Sequence, residues 1–172
     1  TAFYRVLYHS FAIKKQIMKK LVLFLSLSFV LFGSGSCIKD NQQCTQKTVE
    51  SEDASMVAFA AANGITATKH SSGMYYEIIN PGSGTTPIST STLTVKYKGT
   101  LTNGTVFDNP PNPVSFLLGG VIPGWQIAMP LIKKGGRIKM IIPSSFAYGC
   151  TANGPIPAYS VLYFDVELID VL

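Results

Sequence analysis

Seven aromatic side chains stand where apolar strands run into loops: Tyr97, Phe107, Phe116, Trp125, Phe146, Tyr148 and Phe164. Rings gathered at the mouth of a sheet build a dry pocket for apolar or weakly polar groups, and their phenol and indole edges remain free to hydrogen-bond. Little else offers chemistry. Three cysteines (Cys37, Cys44, Cys150) and two histidines (His9, His70) show no metal-ligand spacing, so no metal and no cofactor is expected. There is no nucleophile with a base and orienting acid, no carboxylate pair and no phosphate-cradling glycine loop. Taken alone, Tyr97, Phe107, Trp125 and Phe164 serve equally well as core aromatics. Asp108, ahead of Asn109-Pro110-Pro111, equally suits a turn.

The elements that must position these residues read mostly as strands. Residues 74–80 form one, ended by Pro81-Gly82. Residues 93–99 alternate strictly, with Leu93, Val95 and Tyr97 on one face and Thr94, Lys96 and Lys98 on the other. Asn103-Gly104 signals a hairpin that returns through Val106 and Phe107. Pro110, Pro111 and Pro113 break regularity before a strand at 114–118. Residues 124–129 form a short helix closed by Pro130, and Lys133-Lys134-Gly135-Gly136 turns into a strand at 137–142. After a loop over 143–160 comes a last strand, 161–171, apolar on both faces at its centre. An antiparallel sheet needs one face covered, and the Trp125 helix is the only cover at hand. The fold class is therefore α+β, a curved antiparallel half-barrel wrapped around one short helix. Lys133, Lys134, Arg137 and Lys139 read as a solvated face, and no nucleic-acid partner is expected.

The 172 residues are 47% apolar and 13% charged, which excludes wholesale disorder. Five of the fourteen Lys/Arg fall within residues 1–36, which hold no acid. The remainder carries nine basic and nine acidic residues and is neutral. Lys19-Lys20, an apolar run over 21–32 and the small residues Gly33-Ser34-Gly35-Ser36 compose a secretory signal. Twelve apolar residues are too few to span ~30 Å of hydrocarbon as a helix. Met18 is the expected translation start, which makes 1–17 an upstream extension and 18–36 the signal peptide. Residues 37–73 are expected to hold a solvated spacer (38–52) and a short helix (52–64) whose Met56, Phe59 and Ala60 dock on the flank of a domain at 74–172. In an oxidising compartment Cys44 and Cys150 can pair, provided their Cα atoms come within ~7 Å; the sequence leaves that open.

Cys37 resembles the lipidated cysteine of bacterial lipoproteins. Gly35 and Ser36 fit that pattern, Ser34 departs from it, and Lys39-Asp40 is similar to the export signal of surface lipoproteins in Bacteroidetes-type bacteria. The resemblance implies an exported envelope protein held on the outer membrane by acyl chains, each buried CH₂ contributing ~0.8 kcal/mol. Ordinary signal cleavage with a free or paired Cys37 is the alternative.

Five segments in register carry a second resemblance: Val95-Lys96-Tyr97-Lys98-Gly99-Thr100-Leu101, Asn103-Gly104-Thr105-Val106-Phe107-Asp108, Val121-Ile122-Pro123-Gly124-Trp125, Ile142-Pro143 with Phe146-Ala147-Tyr148-Gly149, and Phe164-Asp165-Val166-Glu167-Leu168. Together they resemble the FKBP-type peptidyl-prolyl cis-trans isomerases over about residues 93–170. The resemblance implies an FKBP-like half-barrel with a proline pocket: Trp125 as floor, Phe107 and Phe164 as walls, Val121 and Ile156 alongside. Tyr148 would donate its hydroxyl to the carbonyl before the proline, and the Ile122 N–H would hold a further carbonyl. Asp108 would be a buried carboxylate bonded by the Tyr97 hydroxyl. Two departures stand out. Val114 replaces a frequent aromatic and softens one wall, and the loop after Tyr148 is a residue short, leaving Pro155, Ile156 and Tyr159 loosely over the pocket. The implied partners are proline-containing segments of folding proteins, bound by a monomer. A proline-binding chaperone module without turnover and a purely structural surface lipoprotein are the alternatives.

Overall fold

Period-two alternation is carried into seven antiparallel strands. The computed structural model describes residues 44–172. The expected extension, signal peptide and lipidated Cys37 lie outside the described residues. In chain order the elements are α1 (Val49–Ala62), β1 (Thr68–Lys69), β2 (Tyr75–Asn80), β3 (Thr92–Leu101), β4 (Val106–Asp108), β5 (Val114–Leu117), α2 (Pro123–Ala128), β6 (Arg137–Ile142) and β7 (Leu162–Val171). The sheet order is β1-β2-β6-β7-β3-β4. β5 also pairs with β3, at Thr92 to Val95, while β4 takes the far end of β3 at Gly99 and Thr100. One long strand thus serves two short ones, and the prolines between them supply the crossing.

Leu93, Val95, Ile138, Met140, Ile142, Leu162, Phe164, Val166 and Leu168 turn to the concave face and pack with Trp125, Ala128 and Met129. Gly124 permits this approach, because a β-carbon there would collide with the Ile142 side chain. Pro123 at the first helical position presets φ where no N–H partner is needed. β7 departs from expectation. Rather than being apolar on both faces, it alternates, with Tyr163, Asp165 and Glu167 on the other side from Phe164 and Val166. That outer face carries ion pairs, with Asp165 receiving both Arg137 Nε and Nη2 at 2.8 Å and Lys139 lying 3.3 Å from Glu77.

The flanking helix begins earlier than expected, at Val49, because Thr48 caps it by accepting the Ser51 N–H at 3.3 Å. It lays Met56 and Ala60 on Ile65, Tyr75, Ile141 and Val161 of the convex side. The solvated spacer expected over 38–52 is correspondingly shorter, since α1 takes its last residues and Cys44 is joined to Cys150 by a disulfide with Cα atoms 5.5 Å apart. Among the described residues no helix is long and apolar enough to cross a membrane.

Candidate active site

The concave sheet and α2 leave a cavity of about 480 Å³ between them. That volume suits a small ligand or a short peptide turn. Tyr97, Phe107, Asp108, Val121, Ile122, Trp125, Tyr148, Ile156 and Phe164 all line it, so these nine expected site residues converge on one space. Phe116, Gly120, Asn153, Gly154 and Pro155 complete the lining.

Trp125 forms the centre of the aromatic wall. Its ring meets Tyr97 at 5.3 Å and 86°, Phe116 at 5.3 Å and 72°, and Phe164 at 5.2 Å and 84°. These edge-to-face arrangements suit the ring quadrupoles and hold the indole in one orientation. Only 4% of Trp125 remains exposed, yet it borders the cavity, and its buried Nε1 has no hydrogen-bond partner. Phe107 meets Phe164 in the same way at 5.4 Å and 84°. Gly99, beneath them, was not singled out as a site residue. A β-carbon there would come within 2.6 Å of Phe107 Cζ and 3.0 Å of Phe164 Cε1, so both walls depend on its missing side chain.

Four polar groups edge this apolar cup. The Tyr97 hydroxyl donates to Asp108 Oδ2. Burial, and then that bond and the Asp108 charge, raise the Tyr97 phenol well above its ordinary value and keep it protonated. Asp108 itself is exposed, which corrects the expectation of a buried carboxylate. It ends β4, a three-residue edge strand, where one oxygen meets the phenol and solvent reaches the group. Tyr148 stands at the rim, 38% exposed. The Ile122 carbonyl accepts the Trp125 and Gln126 N–H groups at the start of α2, while its own N–H meets no acceptor among the described residues. Gln126 Nε2 donates to the Val121 carbonyl at 2.7 Å, steadying that edge.

Two expectations, for Phe146 and Tyr159, need correction. Phe146 does not line the cavity; it packs behind it, against the core. Val114 pairs with Val95 and shares the inward face of β5 with Phe116, packing against the core beside the cavity lining. Tyr159 lies outside the lining, with Lys47 Nζ 5.2 Å from its ring centroid. Pro155 and Ile156 do close over the cavity. The loop is fastened there by paired backbone bonds between Asn153 and Ile156, at 2.9 and 3.0 Å, and by Tyr159 N–H to the Gly149 carbonyl at 2.7 Å. Phe116 was visible as a mouth aromatic, but only its strand register places it on the Trp125 ring.

The sequence model of the FKBP-type peptidyl-prolyl cis-trans isomerases matches residues 84–169, which contain the whole wall of the cavity. The chain belongs to that family. Among its FKBP-type relatives, FkpA of Escherichia coli strain K12 is 46% identical over 116 residues, covering 66% of this chain and 42% of FkpA. The chain therefore spans well under half the length of that curated relative. The crystal structure of Escherichia coli FkpA superposes with a TM-score of 0.62 at 40% identity, over 72% of this chain and 62% of that one. A peptidyl-prolyl cis-trans isomerase from Pseudomonas syringae superposes with a TM-score of 0.61 at 30% identity, over 74% of this chain and 98% of its own. The FKBP fold of this chain is thus matched both in sequence and in space.

Proposed function

We propose that this FKBP-type chain accelerates cis–trans isomerisation of X–Pro peptide bonds in exported or envelope proteins. The observation that supports it most is the convergence of all nine expected pocket residues on one cavity whose wall centres on Trp125.

The chemistry asks for no bond to be made or broken. Amide rotation faces a barrier of ~18–20 kcal/mol because resonance gives the C–N bond partial double-bond character. X–Pro bonds relax in roughly tens to hundreds of seconds unaided. Twisting the bond removes resonance and makes the amide less polar, so an aromatic cup favours the twisted form over water. A site that binds this form better than either planar one lowers the barrier. A thousandfold acceleration needs only about 4 kcal/mol. In this reading the proline ring rests on Trp125 between Phe107 and Phe164. Tyr148 donates to the carbonyl before the proline, and the Ile122 N–H, which meets no acceptor among the described residues, takes a second carbonyl. The Tyr97 hydroxyl, committed to Asp108, holds that carboxylate at the rim, so no charge intrudes on the dry centre.

The address belongs to the same proposal. Lys19-Lys20, the apolar run over 21–32 and the small residues before Cys37 support export, and Cys37 is the proposed site of lipid attachment to the outer membrane. The chain then works as a monomeric surface or periplasmic lipoprotein. Two measurements test the two halves. Peptide relaxation in the presence of the chain tests the isomerase, and unchanged kinetics reject it. Mass spectrometry of the protein from membranes tests the anchor, and a Cys37 without acyl mass rejects it.

A further inference from the structure

Glu52 lies in the first turn of α1, where an acid ordinarily faces solvent and answers the helix dipole. Here it is only 4% exposed. Its Oε2 accepts the Ser144 N–H at 2.7 Å and the Ser144 Oγ–H at 3.0 Å. Burying a carboxylate is unfavourable unless charge-assisted bonds offset it, and both of these bonds go to one residue. Lys47 Nζ approaches the other oxygen at 3.8 Å.

Ser144 is fully buried and opens the turn Ser144–Phe146. Its carbonyl receives the Ala147 N–H at 3.0 Å and the Gly149 N–H at 2.8 Å, the residues on either side of Tyr148. Every polar group of Ser144 is therefore engaged, with N–H and hydroxyl held by Glu52 and the carbonyl holding both neighbours of the rim tyrosine. The Cys44–Cys150 disulfide ties down the next residue of the same loop.

We propose that Glu52 is a positioning residue for Tyr148, acting from α1 through Ser144 to set where the Tyr148 hydroxyl stands over the cavity. This rests on the isomerase reading only in assigning Tyr148 to the substrate. The helix ahead of the isomerase domain is then part of its catalytic apparatus rather than a spacer.

The test combines kinetics with hydrogen exchange on the full chain. Glu52→Gln keeps the size but not the charge, and an Oε1 facing Ser144 can keep only a weaker acceptor. Turnover of an X–Pro peptide is measured for wild type, Glu52→Gln, Tyr148→Phe and the double variant. The loss from Glu52→Gln is expected to be about fivefold with Tyr148 present and under about twofold in the Tyr148→Phe background, as coupled residues require. Amide exchange at Ala147 and Gly149 is expected to quicken by roughly tenfold, with β3 and β7 amides unchanged. Equal losses in both backgrounds, or unchanged exchange at Ala147 and Gly149, overturn the proposal. If the wild-type chain does not accelerate the peptide at all, the isomerase reading fails, and the exchange arm still decides whether Glu52 holds the Tyr148 turn.

Discussion

The Trp125 ring meets the Phe164 ring edge to face, with centroids 5.2 Å apart and planes at 84°. One residue comes from α2 and the other from near the start of β7, so this pair joins the helix to the sheet at the place where the cavity opens. Stability and binding therefore share one side chain.

Trp125 is the sole tryptophan in the chain, and its emission reports on the cavity directly. Titration with a short X–Pro peptide is expected to shift and quench that emission saturably, and the same peptide with Ala for Pro is expected to do so far less. Trp125→Ala is expected to lower unfolding free energy by roughly 3–5 kcal/mol, as large aromatic truncations do in cores. Urea denaturation measures this. A variant that loses peptide binding with stability intact would show that the indole carries little of the packing.

The Tyr97–Asp108 bond sits at the rim, so its removal alters the site more than the fold. Tyr97→Phe and Asp108→Asn are each expected to reduce kcat/KM by about threefold to tenfold while costing only ~0.5–1.5 kcal/mol of stability. Their double variant is expected to lose little more than either single one, because the two groups act as a pair. Additive losses in peptide kinetics would contradict this pairing.

Three phenols are raised above their ordinary value, Tyr75 by burial and its bond to Asp53, and two of them resist ionisation most. Burial and Asp108 raise Tyr97, and burial followed by the Asp165 charge pushes Tyr163 up to about 12. In the unfolded chain both ionise near pH 10, so the folded form binds more protons above that pH. Stability is then full below pH 10 and declines as pH rises towards the folded values. Absorbance titration at 295 nm is expected to show at least two tyrosines still protonated at pH 11, one of them absent in Tyr97→Phe. A complete phenolate signal at that pH in folded protein would contradict the burial of these rings.

The disulfide between Cys44 and Cys150 closes a loop of 106 residues. Constraining so long a loop contributes up to ~4–5 kcal/mol in the chain-entropy model. Mild reduction is expected to lower Tm, and Cys44→Ser with Cys150→Ser is expected to reproduce the drop. An unchanged Tm would mean that the helix and Glu52 already hold this end of the chain.

The strands could be read in advance because one residue in two must be apolar when one face is buried. The 93–99 alternation and the Asn103-Gly104 turn needed no tertiary information. Trp125 was recognisable because one short helix had to cover the whole concave face. What escaped were properties set by neighbours distant in sequence. The family resemblance implies a buried acid at Asp108, yet a three-residue edge strand leaves it in solvent. Phe146 resembles a mouth aromatic in the linear pattern, yet the short turn Ser144–Phe146 packs it against the core outside the cavity lining. Glu52 shows the reverse case. An acid in a first helical turn reads as a dipole partner, and only the docking of α1 shows that it reaches Ser144, 92 residues away.

The most direct test of the central claim is relaxation of a cis-enriched X–Pro peptide followed with and without catalytic amounts of the chain. Acceleration that scales with protein concentration, and that falls when a tight proline-peptide ligand occupies the Trp125 cavity, is the predicted result. Relaxation that stays at the uncatalysed pace, tens to hundreds of seconds, at every concentration of folded protein would contradict it.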